Sequence, residues 1–274
     1  RKAAAGPPPP CPGPSLPRVA RKTRVAIIGG SGLDDPAILA DARDETVATP
    51  WGAPSSPLRH GTIEGVDCVL LARHGRAHTI PPTHVNNRAN LHALRAAGCS
   101  HVLATTAVGS LRADIGRGDL VVLDQFLDFT RLRPLTFHER FAPGRAVHTP
   151  MADPFDAGLR ARLVAAAAAL GLRHHPRGTV VTIEGPRFST RAESRMFRAW
   201  GADVINMSTA PECALAVEAG LPYAAVAMAT DYDAWKEDEE PVTWDEITRI
   251  FAANVESVVR LLVRTIASLR DGPS

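Results

Sequence analysis

Four apolar runs in this sequence end in groups that could handle an anion or a proton. Val66 to Leu71 leads into Arg73-His74-Gly75-Arg76, His101 to Ala104 into Thr105-Thr106, Val204 to Met207 into Ser208, and Tyr223 to Thr230 into Asp231-Tyr232-Asp233. An arginine so placed can grip phosphate oxygens with its planar fork, His74 can donate beside it, and the hydroxyls of Thr105, Thr106 and Ser208 are further anion donors. A glycine-rich turn, Ile27-Ile28-Gly29-Gly30-Ser31-Gly32, presents backbone N–H groups and the Ser31 hydroxyl in the same way. It lacks the third glycine of a dinucleotide fingerprint, so phosphate or no ligand fits it better than NAD. Asp231 suggests other chemistry. A carboxylate at the end of a buried strand is poorly solvated, which is expected to raise its pKa and suit it to share a proton with a ligand. Taken singly, each cluster also reads as an ordinary solvated loop.

The elements that must position these groups alternate between strand and helix. Thr179 to Ile183 is a strand that Gly185-Pro186 breaks, and Thr190 to Glu193 has the capping-box pattern that opens a helix. Ala192, Met196, Phe197 and Trp200 recur at helical spacing until Gly201. Because open α/β folds bind ligands beyond the carboxyl ends of their strands, Phe188, Ser189, Met207 and Ser208 become site candidates. Further helices are expected over Val85 to Ala97, from an Asp153-Pro154 cap to Gly171, over Pro211 to Ala219, and from a second capping box at Thr243 to Glu246 to about Leu269. Leu120 to Leu123 is another strand, Arg131 to His148 a long polar segment, and His174 and His175 are surface residues.

A chain of 274 residues, 45% of them hydrophobic, can bury the core of one large domain. A net charge of +2, with basic and acidic residues interspersed, excludes a nucleic-acid footprint and points to a small ligand. The four cysteines, Cys11, Cys68, Cys99 and Cys213, lie far apart and read as reduced thiols of a cytoplasmic protein, without a metal site. No apolar run reaches the roughly 18 residues of a membrane span, and no signal-peptide core is present. Residues 1–22, rich in Ala and Pro, are expected to be a disordered arm before a domain over residues 23–274.

Taken together, Ile27-Ile-Gly-Gly-Ser-Gly-Leu-Asp-Asp-Pro36, Leu71-Ala-Arg-His-Gly-Arg76, Thr182-Ile-Glu-Gly-Pro-Arg-Phe-Ser189, Val204-Ile-Asn-Met207 and Met228-Ala-Thr-Asp-Tyr-Asp233 resemble the S-methyl-5'-thioadenosine phosphorylases. These belong to the purine nucleoside phosphorylase superfamily, and the resemblance runs from Arg24 to the final helix. It implies a single α/β domain, a twisted mixed central sheet flanked by helices, usually assembled as a trimer. It implies phosphorolysis of methylthioadenosine with inorganic phosphate as co-substrate and no other cofactor or metal. Phosphate would be held by Ser31, Arg73, His74, Thr106, the backbone at Ala107, and Ser208. The family usually has threonine where Ser208 stands, but either supplies one hydroxyl. Met207 matches the residue under the ribose, and Phe188 and Ser189 match the base pocket. Asp231 matches the carboxylate facing N7 and the 6-amino group, with Asp233 beside it. Trp244, Ile247 and Thr248, with Ser189, match the surroundings of the 5' substituent, and His148 matches a histidine contributed by a neighbouring subunit. Trp244 and Thr248 depart from the family's Val and Leu, which implies a shorter pocket favouring methylthio, 5'-deoxy or 5'-halo groups. A 6-oxopurine phosphorylase would carry glutamate near Ser189 and asparagine near Asp231. A non-catalytic purine- or anion-binding protein of the same fold is the remaining alternative.

Overall fold

The computed structural model describes residues 23–29, 38–237 and 244–270, with residues 244–248, 251 and 253 described by backbone alone. The expected arm over residues 1–22, Ser31 with its glycine-rich turn, and Thr243 of the second capping box lie outside the described residues.

Alternation of apolar side chains along the strands builds a sheet with two buried faces. In β1 (Arg24–Gly29), Ala26 and Ile28 point to one side, where α1 (Asn87–Ala96) and α4 (Thr209–Glu218) pack. Val25 and Ile27 point to the other, against α2 (Ala157–Ala169) and α5 (Trp244–Ala267). The period-2 geometry of a strand requires this split, and near-continuous apolar runs are what a doubly covered sheet needs. Val255, Val258, Leu262 and Ile266 carry the expected stripe of α5 onto that second face.

The sheet pivots on β5 (His101–Ser110). Its neighbours on one side run outward through β1, β4 (Val66–Ala72), β3 (Leu58–Ile63) and β2 (Ala40–Glu45). Beyond its C-terminal end come β10 (Val204–Asn206), β9 (Thr179–Ile183) and β7 (Gln125–Phe129). Against its other edge lie β11 (Tyr223–Tyr232), β6 (Leu120–Val122) and the two-residue β8 (His174–His175). Parallel and antiparallel pairings are mixed, as expected.

One detail of register opens the site. β1 pairs with β5 only as far as Ile28↔Ala104, and β10 takes over at Ile205↔Gly109. Between them, residues 105–108 have β11 on one edge and, among the described residues, no strand on the other. This is the point at which strand order changes, and such points are where α/β sheets hold ligands.

The elements near the site agree with the sequence. β9 spans the expected residues, and α3 (Arg191–Ala199) opens with a complete capping box between Thr190 and Glu193. It ends where Gly201 adopts φ +85, which a side chain would resist. Other expectations need correction. α2 is capped by Asp156, whose Oδ1 accepts from Leu159 N, rather than by Asp153. α4 begins at Thr209, two residues before Pro211, because proline is tolerated in a first turn whose N–H groups have no intrahelical partner. His174 and His175 are half-buried in β8, not surface residues, and His175 Nε2 lies 3.2 Å from Asp119 Oδ2. Cys68, Cys99 and Cys213 are buried free thiols, the first two pushed up to about 12 by burial. Among the described residues no helix is long and apolar enough to cross a membrane.

Candidate active site

The gap beside β5 gathers the anion-binding candidates. Arg73 follows β4, its backbone N–H donating to Gly29 O, and its guanidinium is only 2% exposed. Burying a cation without a counter-charge is prohibitive, and the counter-charge is Glu212, 0% exposed in the first turn of α4. Arg73 Nε donates to Glu212 Oε2 at 2.8 Å and Nη2 to Oε1 at 2.9 Å. The fork expected for phosphate is therefore directed at Glu212, while Nη1 donates to Thr105 O at 2.9 Å, a carbonyl in the strand gap. Tyr223 Oη completes the cluster by donating to Glu212 Oε1 at 2.7 Å.

Thr106, on β5, and Ser208, at the N-cap of α4, bring their hydroxyls within 3.3 Å of each other, and the backbone at Ala107 lies in the same gap. His74 follows Arg73 in sequence, but its ring is not a donor on both sides. Nδ1 sits 2.9 Å from Ile80 O, which can only accept, so the proton is on Nδ1 and neutral His74 offers Nε2 as an acceptor. Burial, and then the Arg73 charge, push the ring down to about 4. The unfolded chain would bind this proton near the ordinary value of 6.5, so stability should rise with pH between about 4 and 6.5 and level off above. His78 and His92, both shifted down by burial, act in the same direction. His74→Gln should lose fewer degrees of Tm than the wild type between neutral pH and pH near 4.5. Equal losses would show that His74 burial is not responsible.

The proton-handling candidates lie at the end of β11, the strand on the other edge of β5. Asp231 and Asp233 are both buried, and Asp231 sits opposite Gly109 at a register shift in the β5–β11 pairing. Thr230 Oγ1 donates to Asp231 Oδ1 at 2.8 Å, and Ser189 Oγ donates to Asp233 Oδ1 at 2.6 Å. The structure thus ties Asp233 to Ser189 and Asp231 to Thr230. A Cβ at Gly109 would lie 3.2 Å from Asp231 Oδ2 and 3.0 Å from Ile205 Cγ2, so a side chain there would press its neighbours aside by a few tenths of an ångström. Phe188, next to Ser189 in sequence, is 46% exposed and so is not a core residue. Met207 lies over Gly185, whose added Cβ would come 2.5 Å from Met207 Sδ.

Arg133 was not legible in the sequence as a site residue. It is buried, pairs through Nε with Glu184 Oε1 at 3.0 Å, and donates to the carbonyls of Met207, Ile183 and Glu184. Glu184 also accepts from the N–H groups of Arg131 and Leu132, fastening the long segment to the end of β9. His148 lies apart from this cluster, exposed, with the Phe141 ring 6.1 Å away. Trp244, Ile247 and Thr248 begin α5 by backbone, and their side chains are outside the described residues.

Guanidinium and hydroxyl groups gathered at a break in strand order, with a buried carboxylate on the neighbouring strand, are compatible with an anion-using α/β enzyme, and residues 24–267 match the Phosphorylase superfamily. S-methyl-5'-thioadenosine phosphorylase of Danio rerio is 54% identical over 248 residues, covering 90% of this chain and 89% of that protein. The enzyme of that name from Hyperthermus butylicus is 47% identical over 94% of this chain and 92% of its own length. The methylthioadenosine phosphorylase of Schistosoma mansoni, solved in complex with adenine, superposes with a TM-score of 0.87 at 42% identity, over 92% of this chain and 93% of that one. The chain belongs to the phosphorylase superfamily and, within it, to the S-methyl-5'-thioadenosine phosphorylases.

Proposed function

We propose that this protein is a pentosyltransferase that cleaves S-methyl-5'-thioadenosine with inorganic phosphate, giving adenine and 5-methylthioribose-1-phosphate. The observation that carries the reading is the convergence of Arg73, Thr106 and Ser208 at the anion side of the β5 gap, with Asp231 on the base side. Ser31 and the backbone at Ala107 complete the phosphate donors in this reading, His74 Nε2 accepts the P–OH of hydrogen phosphate, and Met207, Phe188, Ser189 and Asp233 surround ribose and base.

In this mechanism the C1'–N9 bond stretches until the ribose resembles an oxocarbenium ion. The phosphate dianion stabilises that charge and then forms the new bond to C1'. Adenine departs with a proton on N7, shared with Asp231. Inorganic phosphate is the only co-substrate, and no metal or cofactor is invoked. Incubation with methylthioadenosine should release adenine only when phosphate is present. Release of hypoxanthine from inosine at a higher kcat/KM would favour a 6-oxopurine enzyme, and no release at all a binding protein.

The assembly is read as a homotrimer in the cytoplasm, whose partners are small molecules rather than nucleic acid or membrane. Leu132, Leu135, Phe141 and Val147 are exposed in the segment that carries His148. Covering that apolar face with a second copy would also deliver the partner's His148 to a neighbouring 5' pocket. Trp244, Ile247 and Thr248 would form the rest of that pocket with Ser189. An indole in place of valine would shorten it, and an apolar wall would leave a 5'-hydroxyl unpaired. The wild type should then prefer 5'-methylthio and 5'-deoxy over 5'-butylthio and 5'-hydroxyl adenosines by kcat/KM, and Trp244→Val should gain chiefly on butylthio. No gain in the variant would make Trp244 a packing residue.

A further inference from the structure

We propose that Asn206 is a positioning residue of the anion site, held in one orientation by β9 so that its amide N–H commits the Thr106 hydroxyl to donate toward a bound phosphate. The inference rests on the reading of Thr106 as a phosphate ligand and adds the residue that sets its polarity.

The argument starts from a group whose direction is beyond doubt. The backbone N–H of Ala210 can only donate, and it lies 3.0 Å from Thr182 Oγ1. Thr182 accepts there, and its own proton goes to Asn206 Oδ1 at 2.8 Å. The two residues are register partners in the parallel pairing of β9 and β10, and both are buried. The backbone N–H groups of Ser208 and Thr209 approach the same Oδ1 at 3.4 and 3.5 Å. Three donors converging on one atom identify it as the oxygen, so the Nδ2 end must face the hydroxyls. Nδ2 lies 2.6 Å from Thr209 Oγ1 and 3.1 Å from Thr106 Oγ1, with Ser208 Oγ at the 3.5 Å limit of a hydrogen bond.

An amide N–H cannot accept. The Thr106 hydroxyl therefore takes a hydrogen bond from Asn206, and an accepted bond strengthens the one it donates. Its proton has local acceptors in Ala107 O at 3.1 Å and Ser208 Oγ at 3.3 Å, both neutral, and a phosphate oxygen outcompetes neutral acceptors because the bond is charge-assisted. Thr209 takes the second Nδ2 proton and so fixes the amide plane. Asn206 touches the phosphate in none of this. It acts through Thr106, and Thr182 acts through Asn206.

The test exploits a change of one group at constant size. In Asn206→Asp the donor becomes an anionic acceptor, which draws the Thr106 proton inward and adds a like charge beside the phosphate. Its KM for phosphate should rise by well over tenfold, about tenfold from the one charge-assisted hydrogen bond lost at Thr106 and the rest from like-charge repulsion, with the nucleoside KM within about threefold. Asn206→Leu removes the donor without the charge and should cost about tenfold on phosphate alone. Thr182→Val releases the amide orientation and should move the phosphate KM in the same direction by less. Equal changes in both KM values, or a Leu variant as damaging as Asp, would assign Asn206 to packing and overturn the proposal. Should Asn206→Asp fail to fold, the Leu and Thr182→Val variants decide, and an unchanged phosphate KM in both overturns it. Thr106→Val measured alongside separates the two layers: no effect on phosphate there removes the ligand reading itself, and this inference with it.

Discussion

Replacing Asp231 should produce the largest loss of activity. Asp231→Ala is expected to lower kcat for methylthioadenosine by roughly 10²- to 10⁴-fold, the contribution typical of a positioned proton-transfer group. The phosphate KM should change little, because Asp231 lies on β11 opposite Gly109, whereas Arg73 is paired with Glu212 at the start of α4. Asp231→Asn is the more informative variant. A carboxylate accepts from a 6-amino group and repels a 6-oxo group unless protonated, whereas an amide can donate to the oxygen. The wild type should favour adenine over hypoxanthine nucleosides, and the variant should lose adenosine-type kcat/KM while narrowing or reversing that preference. Adenine compounds retaining their full advantage in Asp231→Asn would move base choice elsewhere in the pocket. Asp233 provides the control. Its bond from Ser189 makes it a candidate for shaping the loop at Ser189, and Asp233→Asn should cost less than Asp231→Asn.

The second large effect concerns Arg73 and Glu212. Arg73→Met leaves the Glu212 carboxylate buried without its partner, and removing one member of such a pair costs about 3–5 kcal/mol of stability. Glu212→Leu should cost a similar amount for the converse reason. The double variant Arg73→Met/Glu212→Leu leaves no orphaned charge and should recover most of the stability, as read from urea midpoints. It should not recover phosphate binding. Arg73→Lys keeps the charge, but an ammonium cannot bridge both Glu212 oxygens and reach Thr105 O. Its phosphate KM should rise by about tenfold or more, the loss of one charge-assisted bond, while the nucleoside KM stays within about threefold. If both KM values rise together in Arg73→Lys, the residue acts through the fold. A double variant as unstable as either single one would show that the ion pair is not what couples β4 to α4.

How much of this could be read from the residues alone differs from element to element, for identifiable reasons. β9, β5 and the capped α3 were legible because near-continuous apolar runs, a capping box and a terminating glycine are local signals. β2 was not, since Ala40–Glu45 is polar and exposed on every residue. It is a strand only through its pairing with β3, supported by Arg59 on Asp44. The cap of α2 was misplaced because Asp153 and Asp156 are equally good capping residues, and only the path of the chain selects Asp156.

The site divides along the same line. By itself the sequence determined which residues stand at strand ends, because hydrophobic runs and their polar terminators are written in chain order: Arg73, Thr106, Ser208 and Asp231 were all found this way. What each side chain does there was decided by residues far away in the chain. Glu212 lies 139 positions from Arg73 and takes two bonds from its fork, and Asn206 reaches Thr106 across 100 positions. Only tertiary structure supplies these partners, because a hydrogen bond's direction depends on which donor faces which acceptor. That depends in turn on sheet register, in particular on the point where β5 exchanges β1 for β10. Local patterns specify burial, but the facing of polar groups is a property of the packed sheet.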